Sequence, residues 1–241
     1  APGSSLVGPL ESGHDVVDWI SDTHAGDLDK ARDALKVIVA ESRRREPEVT
    51  VAEILADPQW STPPQVLKAG VEWFDDAQPF GGLERGSKVI LAAPPRCFKT
   101  AVMLWLAQGY ARQGLTVRYL ACEMGRYPLV RRMIAQVAKM TTAAIMQPLD
   151  LAQQQRRDAA IQDVQRYADR LSIRQAPISA SDVARACGES DVVFVDYLQL
   201  LAPTPGIEAA GRAEQLEDTM RTILAATQHG SAALVLACAL N

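Results

Sequence analysis

The chain has 241 residues, a formal net charge of −4, and 48% hydrophobic against 22% charged residues. That balance excludes a wholly disordered chain, and at roughly 150 residues per domain the length allows one or two domains with a real core. No apolar run approaches the roughly 18 residues of a membrane span. The longest, Ala232 to Leu240, has strand length. The opening Ala1-Pro2-Gly3-Ser4-Ser5 has no basic stretch leading into an apolar one, so no secretory signal is read and a cytoplasmic location is the expectation. Lacking an initiator Met, the chain reads as a fragment. The cysteines, Cys97, Cys122, Cys187 and Cys238, match no short-spaced zinc pattern and read as free thiols.

Charge is unevenly spread. Residues 1–80 hold 7 Lys and Arg against 15 Asp and Glu, whereas residues 81–241 hold 18 against 14, and 15 of those 18 are Arg. An acidic front and an Arg-rich body suit a body that meets phosphates.

In chain order, Asp27 to Arg45 reads as an amphipathic helix, with Leu28, Ala31, Leu35, Ile38 and Val39 on one face. Arg43-Arg44-Arg45 falls in its last turn, where the helix dipole favours cations, and reads as a solvated helix end. Pro47 stops that helix. Thr50 and Glu53 form a capping-box pattern that opens a short helix over Val51 to Ala56. Pro58, Pro63 and Pro64 then mark a linker-like stretch. This divides the chain into a helical segment over 1–48, a linker over 49–80 and an α/β domain over 81–241.

Within that domain Lys88 to Ala92 is a short apolar run bounded by turns, hence a strand. Thr100 to Ala111 is an apolar, buried helix, and Thr116 to Cys122 a second strand. Leu129, Val130, Met133, Ile134 and Val137 stripe another helix; Ile161, Val164, Ala168 and Leu171 stripe a third. Asp191 to Val195 is a strand, Leu216, Met220, Ile223 and Leu224 mark a helix, and Ala232 to Cys238 is one more strand. Near-continuous apolar strands alternating with helices predict a parallel sheet covered on both faces.

The chemistry gathers at the strand ends. After the first strand comes Ala93-Pro94-Pro95-Arg96-Cys97-Phe98-Lys99-Thr100, to be compared with the phosphate-binding pattern G-x-x-x-x-G-K-[ST]. In that pattern backbone N–H groups and a helix N-terminus hold phosphates, the Lys neutralises them and the hydroxyl holds Mg²⁺. Ala93 and Phe98 stand where the glycines are usual. The second strand runs into Glu123, placed to activate water as a general base, and the Val192 to Val195 strand ends in Asp196, placed to hold the Mg²⁺ water shell. Ligands of open α/β sheets bind outside the carboxyl ends of the strands, so Lys99, Glu123 and Asp196 are expected to converge.

Taken together, Gly81-Gly82-Leu83-Glu84-Arg85-Gly86, the modified loop, Cys122-Glu123-Met124 and Asp196-Tyr197-Leu198-Gln199-Leu200 resemble the motor domain of DnaB-type replicative helicases. The resemblance covers roughly residues 65 to 241, with Asp196 to Leu200 its most specific element. It implies a RecA-like core, ATP and Mg²⁺ as ligands, single-stranded DNA as partner, a homo-oligomeric ring, by expectation a hexamer, and a possible primase. Arg132 falls where the family carries an Arg, and Gln199 belongs to the shared motif. The family places an Ala where the first loop Gly is usual, as Ala93 does here.

Three departures bear on activity. Phe98 puts a side chain where backbone must approach phosphate. Cys238-Ala239-Leu240-Asn241 resembles the family's Ser-Gln-Leu-Asn, with Ala239 in place of the γ-phosphate-sensing Gln. The chain ends before the region of the family's arginine finger. Residues 201–212 correspond to a loop facing the ring channel, and Arg212 is the candidate DNA contact. Gly13 to Ile20 is similar to the stretch that closes toprim-like primase domains in primase-helicases. The reading is an ATP-dependent helicase motor; the alternative is an ATP-binding, non-hydrolysing RecA-fold module acting as loader or regulatory subunit.

Overall fold

The computed structural model describes residues 49–203, 211–228 and 230–240. The helix read over Asp27 to Arg45, the Gly13 to Ile20 stretch and residues 204–210 of the candidate DNA loop lie outside them. The chain divides into two compact units, Ala1–Thr62 and Pro63–Asn241. In the first, helix α1 (Val51–Ala56) opens on the Thr50 capping box: the Glu53 N–H donates to Thr50 Oγ1 at 3.2 Å and the Thr50 N–H to Glu53 Oε2 at 2.7 Å. A 3-10 turn, Pro58–Ser61, follows.

The second unit begins with β1 (Val66–Leu67), α2 (Glu72–Asp75) and β2 (Leu83–Glu84), the two strands forming a small antiparallel pair. Then come β3 (Lys88–Ala93), α3 (Lys99–Arg112), β4 (Val117–Ala121) and α4 (Arg126–Ala138). These are followed by α5 (Thr142–Ile145), α6 (Leu151–Gln165), β5 (Leu171–Gln175) and α7 (Ala180–Glu189). The unit closes with β6 (Val192–Asp196), α8 (Arg212–Ala226) and β7 (Ala233–Ala239). Strands β3-β7-β6-β4-β5, in that order, form one sheet in which every neighbouring pair is parallel.

Because successive strand residues point to opposite faces, a strand covered on both sides must be apolar throughout. Val117, Tyr119, Phe194 and Val235 face Leu104 and Ala107 of α3 and Leu129 of α4. Leu120, Val193, Val195 and Leu234 meet Val183 and Cys187 of α7 and Ile223 of α8 on the other side. Each fully buried Val, Leu or Phe contributes about 1.5–3 kcal/mol relative to exposure.

Two expectations are corrected, and several elements are added. The stripe Ile161, Val164, Ala168, Leu171 is not one helix: α6 ends at Gln165, Ala168 lies in a 3-10 turn, and Leu171 opens β5. Pairing of Leu171 with Val117 and Ile173 with Tyr119 across the β4 edge overrides the helical spacing. Cover on both faces fails at β3, an edge strand bonded only to β7, where Ile90 is 53% exposed. The additions are β1, β2, β5, α2, α5 and helix α7, the last opened by a capping box between Ser179 and Asp182.

Two buried polar arrangements set α3, the helix that starts at Lys99. Asp75, 7% exposed, accepts the N–H groups of Ala69 (2.9 Å), Gly70 (2.9 Å) and Val71 (3.2 Å), tying the turn on which α3 rests through Gly109. The Gln108 amide donates to Gln136 Oε1 at 2.8 Å and accepts the Tyr167 hydroxyl at 2.7 Å. Gln136 in turn donates to the Ala101 carbonyl at 2.7 Å, one residue past Thr100. The first turn of α3 is therefore anchored from α4.

Asp75→Asn, which turns one acceptor oxygen toward N–H groups as a donor, is expected to lower unfolding free energy by about 2 kcal/mol. Gly109→Ala, whose Cβ would overlap the Ala69 carbonyl oxygen, should cost at least about as much. Both act on one turn, so urea titration of the double variant should show less than the sum.

Candidate active site

Four of the five parallel strands deliver residues to one cleft of about 490 Å³ at their carboxyl ends. Its wall is Pro95 to Ala101 after β3, Glu123 and Met124 after β4, Asp196 and Tyr197 at the end of β6, and Ala239 at the end of β7, with Arg132 of α4 beside them.

The chain leaves β3 at Ala93 and enters α3 at Lys99. Between them Arg96 and Phe98 take φ of 65° and 58°, the left-handed region that costs an L-residue about 1–2 kcal/mol. Phe98 is the residue before the helix and offers no side-chain cap to its first-turn N–H groups. Its ring is 79% exposed, so it does not roof those groups. Ala93 and Pro94 are outside the cleft wall and act through their carbonyls, which accept Lys99 Nζ at 2.7 and 2.8 Å.

Glu123 lies two residues past the end of β4, exposed and without a protein hydrogen bond among the described residues. Asp196 is the last residue of β6 and 4% exposed. Its carbonyl accepts the Cys122 N–H at 2.8 Å, and its Oδ2 accepts the Tyr119 hydroxyl at 2.7 Å. Burial, then the Asp196 charge and hydrogen bond, push the Tyr119 hydroxyl well above the usual tyrosine range, against the pull of Arg132. Burial, with Asp196 adding to it, pushes the Cys122 thiol up to about 12.

The remaining residues singled out from sequence lie off the cleft. Gln199 brackets the end of β7, donating to the Ala239 carbonyl at 2.9 Å and accepting the Ala239 N–H at 3.2 Å. Arg212 is the first residue of α8, not part of a loop, and donates to Gln215 Oε1 at 3.4 Å beside Leu198 and Leu201. Sequence reasoning passes over Tyr119, and quotes Met124 and Tyr197 within motifs without giving either a role. Only a tyrosine breaking an apolar strand hints at the first.

A magnesium ion takes one or two carboxylates plus phosphate and water oxygens, not a dedicated protein cage. Asp196 Oδ1, which no protein donor reaches among the described residues, and the Thr100 hydroxyl in the same wall fit that donor set. Among the described residues no cluster of three His, Cys, Asp or Glu gathers elsewhere.

Two outcomes follow for the loop. Phe98→Gly should raise unfolding free energy by up to about 1 kcal/mol, measured in urea, as relief of the left-handed conformation outweighs the freedom glycine gains when unfolded. At pH 8 Ellman's reagent should label exposed Cys97 rapidly, a phase missing from Cys97→Ser. Cys122 and Cys187, whose thiols burial pushes up to about 12 and about 11, should react only on denaturation.

Comparison with known proteins gives a family and a fold. Residues 67–241 match the family model of the DnaB-like helicase C-terminal domain. A solved structure described as an ATPase domain superposes with a TM-score of 0.67 at 19% identity, covering 80% of this chain and 72% of that one. A DnaB-like replicative helicase, described together with its interactions with primase, gives 0.66 at 18% identity, covering 92% of this chain and 55% of that one. No curated protein sequence matches. At these identities the superpositions speak for a RecA-like fold. The family match adds to that, since it spans most of the chain and takes in both the glycine-poor loop and the strand-end acids. The chain belongs to the DnaB-like helicase C-terminal domain family.

Proposed function

We propose that this chain is the ATP-driven motor of a replicative DNA helicase, coupling ATP binding and hydrolysis to movement along single-stranded DNA. One observation carries the reading: a Lys-Thr helix start, Glu123, Asp196 and Arg132 border a single cleft. The N–H groups that open α3 receive the β- and γ-phosphates, and Lys99 exchanges its two carbonyl acceptors for phosphate oxygens. Thr100 and Asp196 would hold Mg²⁺, which would supply positive charge against the phosphates. Glu123, with no competing protein partner among the described residues, takes a proton from the attacking water. Arg132 adds positive charge where negative charge builds up.

The family supports the rest of the reading: a hexameric ring around one DNA strand, with the segment leading to Arg212 facing that strand and primase as a neighbour. Residues 1–48 are in this view the tail of a primase-like part, joined through a linker to the motor, whose compact unit begins at Pro63. No described helix is long and apolar enough to cross a membrane.

A second reading, a nucleotide-binding module without turnover, is favoured by Ala239, whose methyl group is all that β7 contributes to the cleft beyond backbone. An ATPase assay with single-stranded DNA separates the two. Wild type is expected to turn over ATP, with Lys99→Ala and Glu123→Gln each at least about 100-fold slower. Glu123→Gln should still bind a fluorescent ATP analogue. Equal rates in all three would remove the motor reading. Tight binding by wild type without turnover would establish the second.

A further inference from the structure

We infer that Tyr119 is a positioning residue for the metal-orienting carboxylate: its hydroxyl occupies Asp196 Oδ2 and leaves Oδ1 as the one oxygen offered to a hydrated cation. The inference rests on the proposed role of Asp196 and adds a residue outside the cleft wall.

The sheet register explains why a tyrosine serves. In the parallel pair of β4 and β6, Tyr119 stands opposite Phe194 and Ala121 opposite Asp196. Tyr119 and Asp196 are therefore diagonal neighbours on one face, two residues out of register. Ala121, directly opposite the acid, has no donor to give. A phenol is long enough to cross the diagonal and carries its O–H at the far end. The bond is short, 2.7 Å, and both groups are buried, Tyr119 completely.

The ring itself has no freedom to wander. It stacks on Phe194 with centroids 6.0 Å apart and planes 15° from parallel, and Tyr110 of α3 packs against the same Phe194 at 6.2 Å. The Asp196 main chain is held as well, by the Cys122 N–H on its carbonyl. The carboxylate is thus fixed at its backbone and at one oxygen. The carboxylate oxygen accepts and the phenol O–H donates, so the direction of the bond is set. Outer partners that orient a metal-binding group in this way typically change metal affinity about 10–100-fold when removed.

Equilibrium binding of a fluorescent ATP analogue, titrated with Mg²⁺, tests the inference without requiring turnover. Tyr119→Phe keeps the ring stack and removes only the donor. It should raise the Mg²⁺ concentration for half-maximal tight binding at least about tenfold, with affinity in EDTA unchanged. Tyr110→Phe removes from the same aromatic stack a buried hydroxyl that has no partner among the described residues, and should leave the Mg²⁺ midpoint where wild type has it. A Tyr119→Phe curve superimposed on wild type overturns the inference alone. So does equal loss of affinity with and without Mg²⁺, which marks a purely structural role. A wild type indifferent to Mg²⁺ overturns the role of Asp196 and the inference with it.

Discussion

Parallel strands cannot be joined by tight turns, so each return to the sheet needs a crossover, and in this chain helices supply nearly all of it. All strands then end on the same edge. The consequence is visible in the cleft, where residues that follow or end β3, β4, β6 and β7, separated by up to more than half the chain, form one wall. The same constraint makes the sheet interior apolar on both faces, so a carboxylate is tolerated only at a strand's last position. Asp196 occupies that position: Val192 to Val195 before it are fully buried, and the acid itself is taken up by a hydrogen bond rather than by solvent.

What the sequence reveals about this site depends on how each residue announces itself. Lys99 and Thr100 are legible from the phosphate-loop spacing, and Glu123 and Asp196 because each follows or ends an apolar strand, and in a parallel sheet such strand ends share an edge. Tyr119 is hidden because its role depends on register between β4 and β6, which no spacing within either strand encodes. Gln199 is visible as part of a motif, but its bonds to Ala239, 40 positions on, are not.

The fold divides along similar lines. Strand β7 is a continuous apolar run, β6 is one up to Asp196 and β4 is broken only by Arg118, so all three read clearly; β5, with Ser172, Arg174 and Gln175 among five residues, carries too little pattern to separate it from the end of α6. Ala168 and Leu171 continue a helical spacing by coincidence, and only the β4 edge claims Leu171 for the sheet. At β3 the apolar pattern overstates burial, because residue type reports what a face tolerates and not whether a helix covers it.

The loop before α3 departs from the glycine-rich pattern in composition. Glycine makes such a loop permissive, with much freedom in the unfolded chain. Here Arg96 and Phe98 hold positive φ with full side chains, two prolines restrict the approach, and Lys99 straps the helix start back to the carbonyls of Ala93 and Pro94. Stiffness replaces permissiveness. A polyanion arriving at such a loop orders little that is not already ordered, so its association carries a small entropic penalty, and the main event is the transfer of one ammonium group from neutral to charged acceptors.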